Sequence, residues 1–273
     1  MTISQNHVIG PGGEGYRLDK ALHAFLPDTG LRLRRRLCDD GRVLVDGRPQ
    51  KPGYKVRTGQ EVEIVGGPSV LSPESLGLKI VARGEMFAAV FKPDGVHSAA
   101  IAGRDDPSVE ALLPELLPDA EPLLLNRLDN PTSGLLLVGF GPKAFDAYRT
   151  YEAEGRIRKF YLARVTGRLD GVVTVKRALD ADNRATTKVL AGDDPDERRW
   201  TVVTSLSHDH GRDTTLTRCL ILKGARHQIR VHLASIGHAI VGDPLYGEAD
   251  ERLFLHHYRV ELPGFAAEIP PQF

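Results

Sequence analysis

The run LLLNRLDNPTSGLLLVGF, residues 123–140, constrains the fold more than any other stretch, because it carries an Arg-Leu-Asp triplet between two apolar runs. Leu135, Leu136, Leu137 and Val138 form a segment too short for a helix, which reads as a buried strand. Pro131, Thr132, Ser133 and Gly134 are turn residues ahead of it. Arg127 and Asp129 therefore fall on a loop that enters the core. An ionised carboxylate there needs a cationic partner or close hydrogen bonds. Asp129 could also simply cap the turn, and the loop alone leaves both readings open.

Charge along the chain is uneven although the net charge is zero. Between Arg17 and Arg57 stand eleven basic residues and five acidic ones, a net +6 that leaves −6 for the remainder. The split suggests a basic module joined to a mildly acidic one. No apolar run approaches the roughly 18 residues of a membrane helix, and the N-terminus lacks the basic and apolar regions of a signal peptide. Two isolated cysteines, Cys38 and Cys219, define no disulfide framework or metal site and fit a reducing compartment. The chain is expected in the cytoplasm.

The spacing divides the chain into a flexible tail at 1–15, a basic module at 16–66, a Gly/Pro/Ser-rich linker at 67–77 and a larger domain at 78–273. In the basic module, Leu18, Ala21, Leu22 and Phe25 follow helical spacing, and Leu31, Leu33 and Leu37 suggest a second helix carrying Arg32, Arg34, Arg35 and Arg36. Gly41, Asp46-Gly47, Pro52-Gly53 and Gly59 punctuate strands expected at Arg42–Val45, Tyr54–Val56 and Glu61–Val65. LRLRRR is either part of a compact basic face or a solvated helix face with excess charge. In the larger domain, strands are expected at Phe87–Phe91 and Lys159–Val165, and Trp200–Ser207 with Thr214–Leu222 as hairpin arms. A helix starts at Gly141-Pro142, with proline at its first position. His227–Ile236 reads as another helix, with Gly237 stopping it. The pattern indicates an α+β protein whose larger domain has a mixed, largely antiparallel sheet.

No metal or cofactor spacing is present, and the pairs His208/His210 and His256/His257 lack the further ligands a site needs. Neither a phosphate-binding loop nor a nucleophile elbow occurs. A second charged group in an apolar setting lies in KGARHQIRVHLASIGHAIVGDPLYG, residues 223–247. On the helical reading Arg226 and Arg230 share a face, and Arg230, between Ile229 and Val231, is the natural partner of Asp129. Either arginine could instead be a surface residue with a packed stem.

NRLDNPTSGLLLV, RKFYLARVTG and GARHQIRVHLASIGHAIVGDPLYG, in this order, resemble the three signature blocks of the RluA-type pseudouridine synthases. VFKPDGVHS and LFLHHYRVELPG resemble that family's lead-in and closing strands, and residues 16–65 resemble an S4-like RNA-binding module. The resemblance implies a pseudouridine synthase fold and isomerisation of uridine to pseudouridine in RNA. It passes the catalytic role to Asp129, the base-packing role to Tyr161, the pairing with the aspartate to Arg230, and the filling of the vacated stack to Arg127. RNA contacts are expected at Arg32, Arg34, Arg35, Arg36, Arg226 and His227. The partner is RNA, ribosomal RNA first and transfer RNA second, acted on by a monomer without cofactor, metal or membrane. Two departures touch positions expected to face RNA: Asn126 stands where the family has histidine, and the arginine before His227 comes one position late. A non-catalytic RNA-binding or ribosome-assembly factor is one alternative. A glycosidase is another, and would need a second catalytic carboxylate, for which Asp243 is the candidate.

Overall fold

The computed structural model describes residues 5–27, 30–65, 72–101, 106–183, 185–271 and 273. They group into two compact units, one built from the chain up to Ser72 and one from Pro73–Ala100 with Asp106–Phe273.

The first unit contains β1 (Gln5–Val8), α1 (Leu18–Ala21), α2 (Leu31–Asp39), β2 (Val43–Val45), β3 (Arg48–Pro49) and β4 (Glu61–Ile64). Its strands form an antiparallel sheet in the order β1-β4-β2-β3. Leu18, Leu22, Leu37, Val43, Val62 and Ile64 form its core. Helix α2 ends where Gly41, at φ 71°, bonds its N–H to Cys38 O while Arg42 N–H reaches back to Leu37 O. That is the glycine-ended closure the sequence calls for. Asp46 and Gly47, both at positive φ, make the tight hairpin turn between β2 and β3.

Two expectations are corrected here. The segment expected as a flexible tail contributes β1, whose residues pair with Glu61–Ile64; an open sheet edge captured a segment with no apolar signal of its own. No strand forms at Tyr54–Val56. Tyr54 O and Val56 N instead bond to Leu18 N and Tyr16 O, and only the Arg17–Lys55 bridge results.

The second unit contains β5 (Lys79–Arg83), β6 (Phe87–Lys92), α3 (Val109–Leu116), β7 (Pro122–Leu124), β8 (Ser133–Phe140), α4 (Gly141–Ala153), β9 (Arg158–Thr166), β10 (Val172–Val175), β11 (Arg177–Asp180), β12 (Lys188–Asp193), β13 (Thr201–Asp209), β14 (Thr214–Ile221), α5 (Gln228–Ser235), β15 (Leu255–Leu262) and β16 (Phe265–Glu268). Its main sheet runs β10-β13-β14-β9-β15-β8-β6-β5, with β16 on β15 and β7 on β8. All pairings in it are antiparallel except β8 with β15. Strands β11 and β12 form a separate hairpin.

The run in β8 is uniformly apolar because both faces of the sheet are covered. Leu135 and Leu137 join Phe87, Ala89 and Phe91 of β6 and Ala144 and Tyr148 of α4. Leu136 and Val138 pack on the other side with Val109, Leu113, Tyr161, Ile229 and Leu233. Each of these leucines, once buried, contributes about 1.5–3 kcal/mol. Gly134 lets β8 approach β15: at φ 122°, a Cβ there would lie 2.3 Å from His257 O. Among the described residues no helix is long and apolar enough to cross a membrane.

Candidate active site

Between β7 and β8 the chain leaves the sheet and returns, and Asp129 sits on that excursion. Leu125 N still bonds to Leu137 O, but the next ladder position is taken by a side chain, with Leu137 N donating to Asn126 Oδ1 at 2.7 Å. Asn126 thus ties the loop to β8, which corrects the expectation that this position simply faces RNA. Leu128 is held through its N–H and C=O by Ser98 Oγ, at 2.9 and 2.8 Å. Asn130 exchanges bonds with Gly95 through backbone and amide, and Lys92 Nζ donates to the carbonyls of Pro93, Val96 and Asn130. Burial pushes Lys92 down to about 7 against the pull of Asp94 and Asp129. The turn expected at Pro131–Gly134 closes on Asp129 itself, whose carbonyl accepts from Thr132 N. The carboxylate is left free to face elsewhere.

It faces α5. Arg230, 3% exposed, donates from Nη1 to Asp129 Oδ2 at 3.0 Å. Its Nε and Nη2 grip both oxygens of Asp243 at 2.7 Å. Asp243 is fully buried and also accepts from the N–H groups of Leu245 and Tyr246. Burial alone would raise its carboxyl pKa, but the bonds from Arg230 and from Leu245 outweigh burial and hold it below the ordinary value. A carboxyl held ionised on all sides cannot act as a general acid, which removes the second acid a glycosidase requires. Tyr246 lays its ring 5.4 Å from the Arg230 guanidinium carbon.

Two more groups border Asp129. His227, at φ 56° just ahead of α5, puts Nε2 3.9 Å from Asp129 Oδ1 and Nδ1 2.9 Å from Tyr246 Oη. Tyr161, on β9, is buried with one ring face stacked on His257, centroids 4.5 Å apart and planes 17° apart. Burial, then the nearby charge of Asp129, pushes its hydroxyl above the ordinary range. Its hydroxyl has no hydrogen-bond partner among the described residues.

Residues 87–235 match the family model described as RNA pseudouridylate synthase, and residues 17–62 match the S4 domain. The chain belongs to the RNA pseudouridylate synthase family. It is 33% identical to an uncharacterised RNA pseudouridine synthase of Chloroflexus aurantiacus, over 91% of this chain and 80% of the relative. It is 30% identical to the ribosomal large subunit pseudouridine synthase D of Nitrosomonas europaea, over 91% of this chain and 77% of that one. Among solved structures, human RNA pseudouridylate synthase domain containing 1 superposes with a TM-score of 0.58 at 27% identity, covering 72% of this chain and 84% of the other. This pseudouridine synthase therefore isomerises uridine in RNA.

Within the synthase, the structure brings together Asp129, Arg230, Tyr161 and His227, and leaves Arg127 exposed two residues before the aspartate. Arg226 departs from expectation. Helix α5 begins at Gln228, so Arg226 is not on its face; its guanidinium instead bonds the carbonyls of Ala181 and Asn183 in the β11–β12 connection. The positive φ at His227 turns the chain between the two arginines and sends them to different places. In the S4 unit, Arg34 is 8% exposed, with Nε and Nη1 buried and without a hydrogen-bond partner among the described residues, so it is not a leading surface contact. The side chains of Arg32 and Arg36 lie outside the described residues. Arg35 is half exposed, and its Nε donates to Asp19 at 2.8 Å.

Lys92, Ser98, Tyr246 and His257 lie within the stretches that carry the resemblance, yet it assigns them no role. Asn130, Leu128, His227 and Leu135, to which they respectively bond, lie 38, 30, 19 and 122 residues away, so no local spacing marks those contacts. His256 and His257 are packing residues: His256 Nδ1 lies 2.8 Å from Ser133 Oγ, and His257 Nδ1 lies 2.6 Å from Leu135 O.

Proposed function

We propose that Asp129 is the carboxylate that opens the glycosidic bond of the target uridine, and that the RNA is ribosomal. One observation carries the assignment. Of the two carboxylates on buried Arg230, Asp243 has no exposed side-chain surface, whereas Asp129 keeps 22%. Only Asp129 can meet a substrate, and Arg230 holds its Oδ2 at 3.0 Å.

The uridine must first leave its stack. Exposed Arg127 fills the gap, and the base rests against Tyr161. Asp129 then attacks the anomeric carbon, or removes the neighbouring ribose proton to give a glycal. On either route the bond from C1′ to N1 breaks and one from C1′ to C5 forms. The proton on C5 is released and N1 gains one, so the product is an isomer with no net redox change. The Nitrosomonas relative, named for the large ribosomal subunit, supports ribosomal RNA, and Arg17 and Arg35 on the first unit are suited to phosphates. We place the enzyme in the cytoplasm, acting as a monomer.

The test is Asp129→Asn. Turnover, read as tritium released from uridine labelled at carbon 5 in large-subunit ribosomal RNA, should fall at least a thousandfold, about 4 kcal/mol of transition-state stabilisation, with the melting temperature near the parent's. Residual activity within tenfold sinks the assignment. Pseudouridine maps of ribosomal and transfer RNA with and without the protein identify the substrate.

A further inference from the structure

Tyr246 and His227 form a chain that ends at Asp129 and that the two routes above leave unused. Thr187 is buried, and its backbone N–H, which can only donate, points to Tyr246 Oη at 2.7 Å. With one lone pair so occupied, the Tyr246 hydroxyl proton is free to go to His227 Nδ1, 2.9 Å away. A second contact requires the same tautomer. His227 Nε2 faces Asp129 Oδ1 at 3.9 Å; a bare lone pair there would oppose a carboxylate, whereas an N–H is attracted to it. Both contacts place the proton of neutral His227 on Nε2. At 3.9 Å this N–H is beyond hydrogen-bond distance of Asp129, and therefore remains available beside the carboxylate. The charged groups around the ring are Asp129, Asp243, Arg226 and Arg230, and burial lowers its pKa, so the neutral form holds at neutral pH.

We propose that His227 is a further catalytic residue, whose Nε2–H donates a hydrogen bond to uracil O2 as the glycosidic bond breaks, and that Tyr246 is the positioning residue that keeps the proton there. The inference rests on Asp129 acting at the sugar carbons. O2 lies three bonds from C1′, so an N–H bordering the carboxylate reaches the base on the same side. As the bond to N1 breaks, its electron pair spreads onto N1, O2 and O4. A fixed donor aimed at that charge stabilises the transition state more than the ground state. A neutral imidazole suits this task because it donates without giving its proton away.

The experiment compares His227→Gln, His227→Leu, Tyr246→Phe and Asp129→Asn in the full chain, on large-subunit ribosomal RNA transcribed with carbon-5-tritiated uridine. Gln and Leu carry similar bulk on the same positive-φ backbone, so strain cancels between them, and melting temperatures check the fold. His227→Leu should lose about a hundredfold in kcat with KM within threefold. His227→Gln, which keeps a donor, should recover to within tenfold of the parent, and Tyr246→Phe should lose about tenfold in kcat. Replacing uracil O2 with sulfur, by transcription with 2-thiouridine, should slow the parent more than it slows His227→Leu. Equal loss in Gln and Leu means a packing role and overturns the proposal, as does full activity in Leu. Equal slowing by sulfur in the parent and the Leu variant overturns the O2 contact. Activity surviving in Asp129→Asn refutes the reading of the carboxylate instead, whatever His227 does.

Discussion

Each unit holds a buried charge paired with two of the opposite sign, and the two units invert the sign at the centre. In the first, Asp19 has no exposed side-chain surface and holds Arg17 at 2.9 Å and Arg35 at 2.8 Å, both nearly half exposed. In the second, Arg230 is buried and holds Asp243 and Asp129, and only Asp129 reaches the surface. The sign of the buried member fixes the sign shown to solvent. A buried carboxylate displays cations, which suits a polyanion. A buried guanidinium displays a carboxylate, which suits chemistry at a sugar carbon. Under the roles proposed above, the same pairing yields a binding surface in one unit and a reactive group in the other.

Removing the second centre is expected to cost most. Arg230→Leu leaves two carboxylates facing each other without a cation, and stability should fall by roughly 3–5 kcal/mol, measured by urea unfolding. A loss under 1 kcal/mol would mean that Arg230 is not the hub.

Acid should separate the units next. His256 and His257 are fully buried, and burial holds them at about 4 and about 3. Unfolded histidine titrates near 6.5, so the stability they confer is complete above about 6.5 and is lost as pH falls through those lower values, by up to about 1.4 kcal/mol per pH unit for each. Hydrogen bonds from Arg17 and then Arg35 hold Asp19 at about 2 against its burial, so its contribution persists until pH falls below about 4. Trp200 is the single tryptophan and lies in the second unit. Its fluorescence in urea should show a falling midpoint between pH 7 and pH 5, while exchange protection of α1 amides holds. Simultaneous loss in both units would erase the contrast.

Smaller again is Asp19→Asn, which should cost roughly 1.5–3 kcal/mol through weakened charged hydrogen bonds, read as loss of protection in the first unit. Smallest is Arg35→Ala. It removes one exposed guanidinium and should flatten the slope of log affinity for RNA against log salt by about 0.7–0.9. An unchanged slope would make the S4 face a bystander.

Much of this was legible locally. The leucine run marked β8, Asp46-Gly47 marked a hairpin turn, and Gly141-Pro142 marked the start of α4, because alternation and turn chemistry act over a few residues. Asp129 stood out as charge in an apolar loop. The rest was not local. Arg34 and Arg35 look alike in LRLRRR, yet the first unit buries one and exposes the other. Arg226 and Arg230 share helical spacing, yet the backbone at His227 separates them.

The sequence by itself determined the buried strand at Leu135–Val138, the turn at Asp46-Gly47 and the helix that starts at Gly141-Pro142, and that a carboxylate and an arginine would be needed where water is scarce. The sequence also named Arg230 as the partner of Asp129, 101 residues away; only the tertiary structure decided that Asp243 would occupy the other edge of Arg230 and that Asp129 would be the carboxylate left open. Those choices depend on the register of β8 against β15 and on where α5 lies over the sheet, which side chains distant in the chain settle together by packing. Local spacing carries no trace of them.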